Sequence, residues 1–222
     1  TIIRFWPDVK GVDEEGIFET GAFQYDVLKT RFREMAFLNR GIRIVFRDER
    51  AEEAKERVFY YEGGISEFVK YLNKNKEVLF PEPIYISGMV GTTSVEVAMQ
   101  YNDTYSENIF TFVNNIHTPD GGTHMAGFSM AITRVVNDYG RRHNILKPND
   151  SNLSGEDIRE GIAAIVSVKL EDKNTRHFYI TFSFQLILLQ IVFYSKLSTI
   201  IIFLITFHKK NPPIVQSFTN CI

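Results

Sequence analysis

The stretch Leu153-Ser-Gly-Glu-Asp-Ile-Arg-Glu-Gly-Ile-Ala-Ala-Ile-Val-Ser-Val-Lys-Leu170 changes character half-way along, and that change decides the fold. Ser154-Gly155-Glu156-Asp157 has the form of a capping box, in which a hydroxyl and a carboxylate three residues apart satisfy each other's backbone donors at a helix start. The short helix it opens closes near Gly161. Ile162–Leu170 is then a continuous apolar, β-branched run, which predicts a strand covered on both faces. Such a strand needs layers on either side, and the upstream sequence supplies candidates.

The strongest helical pattern runs from about His124 to Tyr139, with Phe128, Ala131, Ile132, Val135, Val136 and Tyr139 on one face. Before it lie three predicted strands, Ile84–Ser87, Ser94–Tyr101 and Ile109–Ile116, with a polar turn at Asn102–Ser106 and a loop at His117–Gly122. In the second strand Val95, Val97 and Met99 alternate with Glu96, Ala98 and Gln100. Ile65, Phe68, Val69 and Leu72 share a helical face that begins after Gly63-Gly64 and closes at Asn73–Lys76. Further upstream, Ile42–Phe46 and Val58–Glu62 read as a β-hairpin with a long charged turn, Arg47–Arg57. An amphipathic helix precedes it, carrying Tyr25, Leu28, Phe32, Met35 and Ala36, with Asn39-Arg40-Gly41 as its stop. Asp8–Gln24 is a loop, and residues 1–6 read as a short buried strand ended by Pro7, which cannot donate to a ladder. No internal repeat is visible. The expectation is an α+β fold in two units that meet near Tyr60–Gly63.

Composition agrees with a folded chain but conceals a break. The 222 residues are 44% hydrophobic and 23% charged, which excludes wholesale disorder, and the net charge of −2 excludes nucleic-acid binding by bulk basicity. Residues 173–222, however, hold five of the 25 basic residues, none of the 27 acidic ones, and no Gly, Ala or Met. The preceding part therefore carries −7 and the last part +5. Phe178–Ser195 lacks any charge and, with the apolar run after Lys196, has the length of a membrane span. The absence of Gly and Ala and the mid-run Lys196 argue instead for read-through of AT-rich DNA. Cys221 is the only cysteine, so residues 1–172 have neither a disulfide nor a thiolate site, in keeping with a reducing compartment. The apolar start, Ile2-Ile3 with Phe5-Trp6 and no Met, reads as the beginning of a fragment.

Short motifs are weak in this chain. Gly121-Gly122-Thr123-His124 could hold an anion at a helix start, but a tight turn with Thr123 as cap explains it more simply. His117 and His124 flank Asp120 across a Pro-Gly loop without the third ligand that a metal requires, so they read as solvated loop histidines. Arg141-Arg142-His143 suits the negative pole of a helix end, and Glu156, Asp157 and Glu160 suit the acidic first turn of another. No nucleophilic triad, Walker loop or dinucleotide fingerprint is present.

Longer strings are more specific. Thr1-Ile-Ile-Arg-Phe-Trp-Pro-Asp8, Arg33-Glu-Met-Ala-Phe-Leu-Asn39, Tyr61-Glu-Gly-Gly64, Phe68-Val-Lys-Tyr-Leu-Asn73, Tyr101-Asn-Asp103 with Glu107-Asn108, Asn114-Asn-Ile116, Gly121-Gly-Thr-His124 with Gly127-Phe128, Leu153–Gly161 and Val166-Ser-Val-Lys169 together resemble the B subunit of bacterial DNA gyrase. Order and spacing hold over residues 1–170, and the related subunit of topoisomerase IV fits less well at Tyr101–Glu107 and Asn114–Ile116. The resemblance implies the end of a histidine-kinase/Hsp90/MutL-type ATPase domain over 1–60, an incomplete transducer domain like domain 2 of ribosomal protein S5 over 61–172, and an unrelated tail over 173–222.

It further implies ATP with Mg2+ as cofactors, DNA and the gyrase A subunit as partners, and a B-subunit homodimer that closes on ATP binding, in a cytoplasm or an organelle. Thr1 corresponds to the threonine beside the adenine pocket and is the one cofactor-binding residue carried over. The catalytic glutamate, the adenine-binding aspartate and the glycine-rich lid of the family would precede Thr1. The family's Gln-Thr-Lys loop would follow Leu170, where the sequence reads Glu171-Asp-Lys-Asn-Thr-Arg-His-Phe178; Lys173 lacks the preceding pair and takes no role. After Phe128 the family has Arg or Lys where this chain has Ser129, one cavity-facing positive charge fewer. The expectation is an ATP-dependent type II topoisomerase by family and an incompetent catalyst as it stands. The other readings are a membrane-tethered scaffold and a soluble module that blocks gyrase dimers.

Overall fold

The structure, a computed structural model, describes residues 1–10 and 16–170. It divides into two compact units, Thr1–Tyr61 and a second that begins at Glu62. The expectations for residues 173–222, including the candidate membrane span, Lys173 and Cys221, lie outside the described residues. Among those described, no helix is long and apolar enough to cross a membrane.

In the first unit, α1 (Tyr25–Leu38) packs against an antiparallel hairpin of β1 (Arg43–Asp48) and β2 (Lys55–Tyr60). Tyr25 stacks on Phe46 at 5.0 Å, Phe32 meets the same ring at 5.1 Å, and Phe37 stacks on Tyr61 at 3.7 Å. The expected half-buried alternation of β1 holds, with Ile44 and Phe46 turned inward and Val45 outward. Met35, expected on the buried face of α1, is instead exposed, and Phe37 and Leu38 take the interior positions of the last turn. The charged turn is shorter than expected, because Arg47 pairs with Glu56 and Asp48 with Lys55 inside the ladder.

Residues 1–6 form no strand. Ile2, Ile3, Phe5 and Trp6 are 71–86% exposed. Apolar, β-branched residues favour a strand only where a neighbouring strand accepts the ladder and another layer covers the side chains, and this segment has neither in the described structure.

The second unit is a five-stranded sheet in the order β3-β4-β7-β5-β6, with helices on both faces. Its strands are β3 (Ile84–Val90), β4 (Thr93–Tyr101), β5 (Asn108–Val113), β6 (Ile116–His117) and β7 (Ile162–Lys169). β7 sits at the centre, antiparallel to β4 and parallel to β5, and its residues from Ile162 to Val168 are all buried, as its composition predicted. The parallel β5–β7 pairing demands a long crossover, which is built from α3 (Thr123–Arg142) and α4 (Gly155–Arg159).

The core lies between α3 and one face of the sheet. Phe128, Ala131, Ile132, Val135, Val136 and Tyr139 meet Val95, Val97, Met99 and Tyr101 of β4 and Ile162, Ala164, Val166 and Val168 of β7. Burying one such Val or Ile contributes about 1.5–3 kcal/mol. On the other face, Phe68 of α2 (Ile65–Leu72) lies 6.5 Å from Phe110 and 6.2 Å from Phe112. Ala98 and Gln100, which the alternation of β4 assigned to solvent, are buried at this face, with Gln100 hydrogen-bonded to Asn73 at the end of α2.

The strand expected over Ile109–Ile116 is two strands. Asn114 and Asn115 both have positive φ, 48° and 64°, and turn β5 back into β6. A two-residue hairpin with left-handed conformation at both positions is a type I′ pattern, and asparagine tolerates it better than most residues. Asn114 also accepts the Leu170 N–H through Oδ1 at 2.8 Å, so the turn holds the exit of β7.

Candidate functional site

α3 and the segments at its two ends carry most of the residues that the sequence singled out. Gly121 and Gly122 have φ of 74° and 140°, and a Cβ at Gly121 would lie 2.8 Å from the Met125 sulfur. The pair is therefore a tight turn required by the backbone. Thr123 is the first helical residue and not the cap. The cap position belongs to Gly122, which makes no side-chain cap bond.

The two histidines differ from their sequence reading. His124 is 4% exposed and lies 3.0 Å through Nε2 from the Thr118 hydroxyl. That hydroxyl is 2.7 Å from the Thr111 hydroxyl and donates to the Thr111 carbonyl at 3.0 Å, tying the first turn of α3 to β5. His117 lies in β6, half-buried, with its ring 5.8 Å from Phe110 and 5.2 Å from Phe112. Neither is a solvated loop histidine. Position 124 falls four residues before Phe128 on the same helical face, a spacing that places it in the core. Among the described residues, no group of three His, Cys, Asp or Glu could hold a metal ion.

The outer side of α3 borders a shallow groove of about 510 Å³ lined by Ser129, Met130, Thr133, Arg134, Asn137, Asp138, Asn152, Leu153 and Arg159. Its cations are committed to neighbours. Arg134 lies 3.6 Å from Asp138, and Arg159 lies 2.9 Å from Glu107. Arg141 donates to the Asp150 carbonyl at 2.5 Å, to Asn152 Oδ1 at 2.8 Å and to the Lys147 carbonyl. Arg141 thus clamps the loop after α3, a structural duty that adds to its favourable position at the helix end. Asn137 secures the same loop, accepting from Leu153 N–H at 2.8 Å and donating to its carbonyl at 3.0 Å. Of the acidic residues, Asp157 forms the capping box on α4 with Ser154, as expected.

Among the described residues, the Asp48–Arg50 pair and Tyr101 are clearly perturbed. The Arg50 guanidinium grips Asp48 from 2.8 Å and 2.7 Å and holds that carboxyl at about 2. Burial pushes the Tyr101 phenol well above its ordinary value of 10, with Arg159 opposing weakly, and its hydroxyl donates to the Ile158 carbonyl at 2.7 Å. Both are structural positions. Thr1, the expected adenine-pocket residue, is exposed in the irregular first segment, and none of the α3 residues shares its unit.

A family model described as DNA gyrase B matches residues 64–177. The chain belongs to the DNA gyrase B family. That match continues past the compositional break at Lys173, whereas the motif series ends at Leu170. The DNA gyrase B subunit of Clostridium acetobutylicum is 57% identical over 173 residues, 78% of this chain and 26% of the relative. The Bacillus mycoides protein of the same name is 52% identical over 169 residues, 76% of this chain and 40% of the relative. The chain therefore spans between about a quarter and two fifths of the length of these curated relatives.

Among solved structures, the 43K ATPase domain of Thermus thermophilus gyrase B, in complex with an aminocoumarin, superposes with a TM-score of 0.66 at 31% identity, over 90% of this chain and 52% of that one. The topoisomerase IV ATP-binding domain of Francisella tularensis shares the fold, with a TM-score of 0.63 at 16% identity, over 86% and 54% of the two chains. The gyrase B fold is accordingly the end of a histidine-kinase/Hsp90/MutL-type ATPase domain followed by an S5 domain 2-like transducer domain.

Proposed function

We propose that this chain forms the end of the ATPase domain (1–60) and the transducer domain (61–172) of a gyrase B protein, which couples ATP binding and hydrolysis to DNA strand passage. The observation that carries the reading is 57% identity over 173 residues to a DNA gyrase B relative. The central parallel strand and its α3 crossover support it, because they give a stiff sheet on which a displacement at one end moves the whole layer. In this reading the partners of the whole protein are the gyrase A subunit, DNA and a second copy of the gyrase B protein, and the setting is a cytoplasm or an organelle.

In the same reading the 222-residue polypeptide alone does not turn over ATP. A purine pocket needs enclosing apolar walls with a few aimed polar groups. Thr1 sits in an exposed segment whose apolar neighbours Ile2, Ile3, Phe5 and Trp6 face outward, so these residues alone do not make an adenine pocket. The described residues do not fit Mg2+ either, lacking a cluster of acidic ligands. Thr1 is proposed to line the adenine pocket when the rest of an ATPase domain covers this segment. Ser129, on the rim of the α3 groove, is proposed to weaken DNA capture relative to a cation there, since duplex affinity rests on phosphate neutralisation.

A chimera tests this. Residues 1–170 replace the matching segment of the Clostridium acetobutylicum protein, and ATP-dependent supercoiling is measured with the matching A subunit. Supercoiling by the chimera, with no ATP turnover by the 222-residue chain alone, is the expected outcome. A folded chimera without supercoiling, or turnover by the isolated chain, overturns the proposal.

A further inference from the structure

Six polar side chains of the second unit form one hydrogen-bond chain that runs in a single direction. Asn108 Nδ2 donates to Ser106 Oγ at 3.0 Å, and the Ser106 and Thr104 hydroxyls lie 2.9 Å apart. Thr104 Oγ1 donates to Asn102 Oδ1 at 2.5 Å, and Asn102 Nδ2 donates to Asn73 Oδ1 at 3.0 Å. Asn73 Nδ2 then donates to Gln100 Oε1 at 3.0 Å, and Gln100 Nε2 donates to the Phe80 carbonyl at 2.8 Å.

The direction is forced by the main chain at both ends. The Phe80 carbonyl only accepts, so the Gln100 nitrogen must face it. The Thr104 N–H donates to Asn102 at 3.0 Å, so the Asn102 oxygen must face Thr104. The Thr104 hydroxyl meets that oxygen with its proton and therefore accepts from Ser106. Between Gln100 and Asn102, the Asn73 carboxamide presents its nitrogen as donor one way and its oxygen as acceptor the other. Asn73, Gln100 and Asn102 are 3%, 1% and 4% exposed. Rotating any one of these amides would leave buried polar groups unpaired, which the low-dielectric interior penalises, so the three move as a set.

The ends of the chain are informative. Asn73 caps α2, the helix that begins at Ile65, just after the boundary of the units at Glu62. The 102–108 loop is fastened to the crossover by Asn102 N–H on the Gly161 carbonyl at 2.9 Å and by Glu107 on Arg159, and it leads directly into β5. We infer that the Asn73–Gln100–Asn102 carboxamide chain is a relay that couples the seat of α2 to the 102–108 loop and so to the starts of β5 and β7. It goes beyond the gyrase reading and does not depend on nucleotide or DNA.

Amide hydrogen exchange on the full 222-residue chain, read by NMR, tests the relay. Asn73→Asp keeps the shape of the side chain and turns the donor facing Gln100 into an acceptor. The expected result is exchange at the Thr104 N–H at least tenfold faster, with the Val97 and Val135 amides within twofold of wild type. An unchanged Thr104 amide, or equal acceleration everywhere, overturns the relay. If Asn73→Asp does not fold, Thr104→Val carries the test in the reverse direction, because coupling between two sites is reciprocal. It removes only the hydroxyl links, and the expected result is at least threefold faster exchange at Asn73 N–H, which donates to the Val69 carbonyl at 3.1 Å. Unchanged exchange there overturns the relay equally.

Discussion

Removing the Tyr101 hydroxyl has an effect that fades as pH rises. Tyr101 is 2% exposed, and its hydroxyl donates to the Ile158 carbonyl at 2.7 Å, fastening α4 to the sheet. Tyr101→Phe keeps the ring and strands that carbonyl, at a cost of about 1–3 kcal/mol near neutral pH. Burial raises the phenol's pKa in the folded chain, so folding favours the neutral form. The resulting stability is complete below the unfolded value of about 10 and is lost as pH rises above it, at about 1.4 kcal/mol per pH unit. Phenylalanine has no proton to lose at this position. The wild-type advantage should therefore shrink from pH 10 upward and vanish near pH 11–12, while the other titrating residues affect both proteins alike. Urea unfolding followed by circular dichroism, at intervals from pH 7 to pH 11.5, measures the difference. A difference that stays constant above pH 10 would refute the claim that burial holds the phenol neutral, and a difference near zero at pH 7 would refute the role of the bond.

Other positions give simpler outcomes. Gly161 has φ of 73°, and a Cβ there would lie 2.7 Å from the carbonyl oxygens of Asn102 and Thr104, so Gly161→Ala should cost at least about 2 kcal/mol in urea unfolding. Ser154→Ala removes the capping box of α4 and should cost about 0.5–2 kcal/mol, with faster amide exchange confined to Gly155–Arg159. Arg50→Gln releases Asp48, whose carboxyl should rise from about 2 toward 3.8 in an NMR titration. The sign follows from a depressed folded value: the stability Arg50 lends is present above pH 3.8 and lost as pH falls toward 2. An unchanged Asp48 titration in the variant would show that another group lowers it.

The elements with strong periodicity are legible because burial alone determines them. β7 is apolar at nearly every position and could only be a central strand, and the α3 face from Phe128 to Tyr139 repeats at the helical period. Where two forces compete, the sequence is ambiguous. Asn114-Asn115 lies inside an apolar alternation, and only the left-handed tolerance of asparagine marks the turn. Ala98 and Gln100 sit on the face that alternation assigns to water, but α2 covers it, and nothing local to β4 announces that cover. By residue type His124 reads as a loop histidine, although its spacing to Phe128 already puts it on the core face. Residues 1–6 show the converse, since strand-forming side chains do not make a strand without neighbours. Of the candidate site, the glycine turn and the capping box are legible. The clamp of Arg141 on residues 147–152 is not, because it depends on the path of a loop that carries no periodicity.

The central place of β7 also governs how the chain acquires its structure during synthesis. β3 with β4, and β5 with β6, close locally, but the two hairpins meet only through the strand between them, which lies last among the described elements. Their union is therefore a high-contact-order event that waits for Ile162–Lys169 to leave the ribosome. A nascent chain halted before Ile162 would hold two separate hairpins, each with an apolar edge open to other chains. A pause in translation just upstream would be the step most exposed to aggregation.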